Sequence, residues 1–281
     1  MKVYLNPDRS DWPEILKRPT MDLEEIEQRV RPIMEKVKLE GDAALRQFTQ
    51  QFDGVNIDDF RVTEAEFAEA ESLVDASLKS AILTAKSNIE TFHQAQEQPE
   101  LEVETMPGVK CYRRSVGIEK VGLYIPGGTA PLFSTVLMLA IPARIAGCKE
   151  VVLCTPPNKE GRIHPAILYA ARVVGVNQVF KAGGAQAIAA LSFGTESIPQ
   201  VNKIFGPGNQ YVTAAKQLAT RFGLAIDMPA GPSEVAVYAD ETANPAFVAA
   251  DLLSQAEHGA DSQVVLVASS REIVANVQKE I

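Results

Sequence analysis

The pattern of apolar and polar positions changes character near residue 99. Before it, apolar side chains recur at steps of three and four, the period of a helix that buries one stripe. Leu23–Lys38 reads as the first such helix, with Asp22 placed to cap it and Gly41 to end it. Pro32 predicts a kink or a division there, because its ring removes a backbone donor and crowds the preceding turn. A second helix runs from Asp42 to about Gln51. Thr63 and Glu66 have the spacing of a capping box. From about Ala76 to Gln96, the residues Leu78, Ile82, Ala85, Ile89 and Phe92 form one core-facing stripe.

Beyond Pro99, short apolar runs alternate with helical periods. Leu101–Thr105 and Val109–Arg113 flank Met106-Pro107-Gly108 and predict a hairpin. Strands are predicted at Lys120–Ile125, Glu150–Thr155, Gln178–Lys181 and Lys203–Phe205. Helices are predicted between and after them, at Leu132–Gly147, His164–Val174, Gln186–Phe193 and Gln210–Phe222. Strands at Val235–Ala239 and Gln263–Ala268 enclose a helix at Pro245–His258, and an amphipathic stretch, Arg271–Ile281, follows. Apolar strands alternating with helices indicate parallel sheets of βαβ units. The expected fold class is therefore α/β, with two incomplete Rossmann-like units preceded by an N-terminal helical region. Residues 1–20 are expected to form an arm and 121–231 one Rossmann-like unit. Residues 21–120 with 232–281 are expected to form the other, discontinuous one.

Val121 to Ala143 carries no charge for 23 residues, long enough to span a bilayer. Pro126, Pro131, Pro142 and the pair Gly127-Gly128 instead favour a buried strand, a turn and a helix. No membrane partner is expected. Met1–Lys17 has scattered charges and no apolar core, unlike a signal peptide. Cys111, Cys148 and Cys154 are an odd count without scaffold spacing, so reduced thiols and a cytoplasmic location are expected.

The 281 residues are 46% hydrophobic and 22% charged, which is ordinary for a globular chain and argues against disorder or a fibre. That length suggests two domains and can bury a core without disulfide or metal staples. The net charge of −9 argues against nucleic acid as a partner. The charge is uneven. Residues 1–120 hold 16 basic and 24 acidic side chains, 121–231 hold 9 and 4, and 232–281 hold 2 and 8. A positive middle segment either favours an anionic ligand such as a dinucleotide or is ordinary surface variation.

Three glycine-containing turns follow predicted strands: Pro126-Gly127-Gly128, Gly183-Gly184-Ala185-Gln186 and Gly206-Pro207-Gly208-Asn209. Ligands of open parallel sheets bind at the carboxyl ends of the strands. Glycine lets the backbone approach them, and the following helix offers free N–H groups to a phosphate. The turns fit a nucleotide site, or glycine simply makes them tight. Neither the G-x-G-x-x-G nor the Walker pattern is present. Tyr124, Gln186 and Asn209 sit at these strand ends. The phenol could stack on or hydrogen-bond a ring, and the amides could bond ribose or carboxamide groups; each also suits a local packing or turn role. Gln255 and His258, three apart, project from one helix face. Imidazole is a common zinc ligand and an amide oxygen a rarer one, but His258 could equally favour the helix C-terminus electrostatically. Ser233, in the loop Asp227-Met-Pro-Ala-Gly-Pro-Ser-Glu234, can offer a hydroxyl to a substrate, or the loop is only a crossover.

Four motifs together closely resemble histidinol dehydrogenase: Val121-Gly-Leu-Tyr-Ile-Pro-Gly-Gly128, Phe205-Gly-Pro-Gly-Asn209, Asp227–Glu234 and Asp251-Leu-Leu-Ser-Gln-Ala-Glu-His258. Asn88-Ile-Glu-Thr-Phe-His93 adds to them, and the resemblance runs through essentially the whole chain. It implies oxidation of L-histidinol to L-histidine through the aldehyde, at the end of histidine biosynthesis, with two NAD and one zinc ion (Zn2+). It also implies a homodimer whose sites use residues of both chains. By motif match, Tyr124, Gln186 and Asn209 fall on NAD-contacting positions. Ser233, Gln255 and His258 fall on substrate-binding positions, and Gln255 and His258 are also zinc ligands. The family's general-base Glu-His pair and its remaining zinc ligands have no match before Ile281. The expectation is a fragment of that enzyme, inactive alone, with no catalytic residue of its own. The alternative is a non-catalytic dinucleotide-binding or interaction protein derived from it. A cysteine-based aldehyde dehydrogenase is disfavoured, because no cysteine has an evident base nearby in sequence.

Overall fold

The computed structural model describes residues 2–17, 23–127, 131–229, 234–257 and 262–281. It separates into two compact units. Leu23–Pro229 forms one, and Met1–Asp22 with Ala230–Ile281 forms the other. The chain opens in the second unit with a short helix, α1 (Trp12–Ile15), and then enters the first.

Four helices come first: α2 (Leu23–Glu40), α3 (Asp42–Asp53), α4 (Glu64–Leu73) and α5 (Ala76–Gln94). Each has its sequence reason. Ile26, Val30, Met34 and Val37 lie on one stripe of α2 and are buried. Full burial of such a side chain stabilises by about 1.5–3 kcal/mol. This explains why α2 runs on through Pro32, where a kink or division was expected. Gly41 separates α2 from α3 at φ +55°, a conformation that suits glycine. The α4 capping box forms in both directions, with Thr63 Oγ1 accepting from the Glu66 N–H and Glu66 accepting from the Thr63 N–H. The α5 stripe buries Ile82 and partly buries Leu78, Ala85 and Ile89. Phe92, expected on that stripe, is 64% exposed, because it falls in the last turn beyond the packed part of the helix. The cap expected from Asp22 lies outside the described residues.

The hairpin follows as β1 (Leu101–Met106) and β2 (Val109–Arg113), paired antiparallel around Gly108 at φ +82°. The βα alternation then appears as β3 (Lys120–Tyr124), α6 (Phe133–Ile145), β4 (Glu150–Thr155) and α7 (Pro165–Val173). It continues as β5 (Gln178–Lys181), α8 (Gly184–Phe193), β6 (Lys203–Phe205), α9 (Gln210–Thr220) and a two-residue strand, β7 (Ala225–Ile226). The uncharged run from Val121 is thus broken into β3, a turn and α6, and no helix among the described residues is long and apolar enough to cross a membrane.

The five strands are all parallel, in the order β5-β4-β3-β6-β7. The first strand lies in the middle, later strands are added on either side, and the order reverses between β3 and β6. That is the strand order of a dinucleotide-binding sheet with its topological switch point. Side chains alternate strictly between two cores. Tyr124, Val152, Cys154, Phe180 and Ile204 face α8 and α9. Leu123, Ile125, Leu153 and Val179 face α6 and α7. The edge of β5 is covered by the chain at Phe60–Val62, where Val62 N donates to Val179 O and Lys181 N to Phe60 O, at 2.9 and 2.8 Å.

The N-terminal helices pack on this sheet's own helices. α2 lies against α8 and α9, α3 against α8, α4 against α7 and α5 against α6. The sequence grouped residues 21–120 with 232–281. The contacts instead gather residues 23–229 into one body. Charge accounts for part of this. Of the nine basic residues in 121–231, Arg162 and Arg172 pair with Glu69 and Glu64, Lys181 with Glu66 and Arg221 with Glu27. Four of the middle segment's nine basic residues therefore meet acidic α2 and α4.

The second unit holds β8 (Glu234–Ala239) and β9 (Gln263–Ala268), a parallel pair, with α10 (Pro245–Ala256) and α11 (Arg271–Glu280). Ala239, Val248, Ala249, Leu252, Ile273 and Val277 form its core. Asn244 caps α10 through the Ala246 N–H, with Pro245 at the first helical position, and Ser270 caps α11 through the Ile273 N–H.

Candidate dinucleotide site at the switch point

The carboxyl ends of the strands bring three chain turns into contact. Pro156, after β4, sits against two of them. A Cβ on Gly127 would stand 2.6 Å from Pro156 Cγ, and one on Gly183 would stand 3.1 Å from Pro156 Cα. Glycine at both positions lets three loops close together where a side chain would force them apart.

Tyr124 is the meeting point. It is the last residue of β3, on the α8–α9 side, and is 3% exposed. Its hydroxyl oxygen accepts from the Gly184 N–H at 3.0 Å, at the start of α8. Burial pushes its pKa up to about 12, with the charge of Asp53 adding to the shift. The phenol therefore stays protonated and keeps its hydroxyl proton. The ring itself is packed in the core, so the stacking role considered from sequence has no open ring face.

Gln186 lies in the first turn of α8 and is 1% exposed, yet its side-chain amide makes no hydrogen bond with a described residue. It bends back over Gly184, where a Cβ would stand 2.6 Å from Gln186 Oε1. Gly184, at φ +64°, is thus touched by both Tyr124 and Gln186. No side chain caps α8. An amide so placed can give and receive hydrogen bonds with a polar group that enters this turn.

The third turn approaches from β6. A Cβ on Gly206, at φ +134°, would overlap the Tyr124 carbonyl oxygen and stand 2.9 Å from its carbonyl carbon. Asn209 is exposed and caps α9, its Oδ1 accepting from the Val212 N–H at 3.1 Å. Its Nδ2 has no partner among the described residues. The structure therefore gathers Tyr124 and Gln186 around Gly184, and joins the Asn209 turn to them through Gly206. These residues fit a dinucleotide: unsatisfied donors and acceptors line turns that only glycine allows to meet at the switch point.

Three residues outside the sequence expectations bear on this region. Asp53, at the end of α3, has a buried oxygen, Oδ2, without a hydrogen-bond partner, and burial raises its pKa to about 6. Lys216 and Asp227 form an ion pair behind the Gly206 turn. Lys216 had a legible signal, since Val212, Ala215, Lys216 and Ala219 share the buried stripe of α9. Asp227 had none, because Gly206 and Lys216 are brought to it only by the fold, and Asp53 had none, because its burial comes from distant parts of the chain.

In the other unit, α10 ends at Ala256 rather than reaching His258. Gln255 is half-buried and donates from Nε2 to Ser262 Oγ at 3.3 Å, leaving its carbonyl oxygen without a partner among the described residues. Ser233 and His258 lie outside the described residues. Among the described residues no three His, Cys, Asp or Glu side chains gather in a metal-binding group, so they do not by themselves make up a zinc site. Cys154 is fully buried, which raises its pKa strongly, and it serves as core filling.

Comparison with known proteins agrees with this architecture. The family model for histidinol dehydrogenase matches residues 16–281. A histidinol dehydrogenase of Bacteroides fragilis is 62% identical over all 281 residues, and one of Bacteroides thetaiotaomicron is 60% identical over the same span. The chain spans 66% of the length of each of these relatives. The crystal structure of histidinol dehydrogenase from Elizabethkingia anophelis superposes with a TM-score of 0.89 at 54% identity, over 99% of this chain and 64% of that one. The chain belongs to the histidinol dehydrogenase family.

Proposed function

We propose that this chain provides the dinucleotide-binding part of an enzyme that oxidises L-histidinol to L-histidine through the aldehyde, the last steps of histidine biosynthesis. The observation that carries the proposal is the convergence of the β3, β5 and β6 turns on Tyr124, at the switch point of a sheet in this family. NAD bound there would accept hydride twice from the same carbon, first from the alcohol and then, after water adds to the aldehyde, from its hydrate.

The chain's own residues bind and orient. The Tyr124 oxygen takes the Gly184 N–H, so its hydroxyl proton is left to donate. Gln186 can give and receive hydrogen bonds in a space that holds no other partner for it, which suits ribose or carboxamide groups. Asn209 keeps its oxygen on α9 and offers its nitrogen to the ligand. Close-packed loops exclude water around the ligand, which strengthens these hydrogen bonds. In the same reading Ser233, Gln255 and His258 bind the substrate. Gln255 and His258 would be this chain's share of a zinc site, where the ion would hold the imidazole and amine of histidinol. The general base and the remaining ligands come from outside these 281 residues. The protein works as a cytoplasmic homodimer with sites shared between chains.

The test is NADH formation, followed by absorbance, by the product of the gene that carries this sequence. Two NADH per histidinol are expected. A soluble product that forms none refutes the activity. NAD binding without turnover supports instead the alternative of a non-catalytic dinucleotide-binding protein.

A further inference from the structure

Gly206 follows β6, and both of its backbone polar groups are held from behind. Its N–H donates to Asp227 Oδ2 at 2.8 Å. Its carbonyl accepts from Lys216 Nζ at 2.8 Å. Lys216 and Asp227 are themselves ion-paired, which closes a ring of three contacts around one residue. The Lys216 side chain is 7% exposed, so its charge depends on these two partners. The three residues come from three places: the end of β6, the middle of α9, and the chain just after β7. Asp227 is fixed by its own backbone as well, since its N–H donates to Ile204 O at 3.1 Å.

The ring sits behind the turn that carries Asn209. On its other side Gly206 is pressed against the Tyr124 carbonyl. Gly208 is equally confined, since a Cβ there would overlap Val212. A turn rich in glycine would ordinarily sample many conformations, and ordering it on binding would weaken affinity. Here the charges remove that freedom before any ligand arrives.

We propose that the Lys216–Asp227 ion pair is a positioning device that holds the Gly206-Pro207-Gly208-Asn209 turn in its dinucleotide-binding conformation. The inference rests on the NAD reading of this turn. Neither side chain touches the ligand. Each acts through the Gly206 peptide.

The test is NAD affinity by titration calorimetry on the 281-residue chain, at a temperature where far-UV circular dichroism shows every variant folded. D227A and K216M should weaken NAD binding about tenfold, because a misplaced turn must be reordered on binding. D227N keeps an acceptor for the Gly206 N–H and should restore part of the affinity. R221A breaks an exposed ion pair with Glu27 at the far, C-terminal end of α9 and should leave affinity unchanged. A role confined to stability would lower the melting temperature of D227A and K216M without moving their affinity for NAD, and that result overturns the inference. Where no such temperature exists for D227A, D227N and K216M decide in the same way. Failure of the unsubstituted chain to bind NAD overturns the site reading, and this inference with it. Binding by that chain and equal binding by K216M overturns this inference alone.

Discussion

Gly206→Ala tests the close approach of β3 and β6 with a single methyl group. Two effects add. The residue is held at φ +134°, a region that side chains rarely adopt, and keeping alanine there costs about 1–3 kcal/mol. The new Cβ would also stand 2.9 Å from the Tyr124 carbonyl carbon and 3.0 Å from the Tyr124 nitrogen. Both are backbone atoms of a central strand, so the neighbour cannot swing away as a surface side chain would. Overpacking of this kind costs about 1–3 kcal/mol more. The sum is about 4 kcal/mol, a large part of the stability of an ordinary domain. Gly223→Ala is the matched control. Its φ is +86°, but nothing lies within 4 Å of a Cβ there, so only the backbone strain remains, about 1 kcal/mol. Urea unfolding followed by far-UV circular dichroism measures both. The single tryptophan, Trp12, belongs to the other unit and would not report this one. G206A should unfold at clearly lower urea than G223A and should bind NAD more weakly. Equal midpoints for the two variants would refute the close approach.

Asp53 predicts a pH dependence. Its folded pKa is raised from 3.8 to about 6, so ionisation disfavours the fold as pH climbs between those values. D53N should therefore be more stable than the unsubstituted chain above pH 6, by about 1 kcal/mol after discounting for the partial exposure of the group, with little gain near pH 4. Melting curves at both ends of the range decide it, and an equal gain at each would contradict the burial account. For the metal, H258A in the product of the complete gene should lose zinc by elemental analysis while keeping its affinity for NAD. Unchanged zinc would remove His258 from the ligand set.

The sequence made the local structure legible and left the assembly of it largely hidden. The Thr63–Glu66 box and every strand of four or more residues after Pro99 follow from spacing that a few neighbouring residues enforce. β7 escaped because two residues carry no period. Pro32 does not divide α2, because the buried stripe outweighs one lost backbone bond. How the elements group was hidden for a different reason. The stripe on α2 announces that it will be buried but not against what, and α4, with only Phe67 and Ala70 buried, announces less. The answer depended on basic partners such as Arg172 and Lys181, more than a hundred residues further on. At the site, the three glycine turns were visible, and so were Tyr124, Gln186 and Asn209. Their convergence on Gly184 and Gly206 was not, nor was the pairing of Lys216 with Asp227. Those are contacts made by strand order, which periodicity does not encode.

The central claim is that a dinucleotide binds where these turns meet. Amide hydrogen exchange with and without NAD, on the 281-residue chain, tests it most directly. NAD should slow exchange at residues 124–127, 183–187 and 206–212, leaving the amino ends of the strands near Lys120, Asn202 and Leu224 unchanged. Binding that leaves those three turns unprotected, or that protects the opposite end of the sheet, would contradict the account.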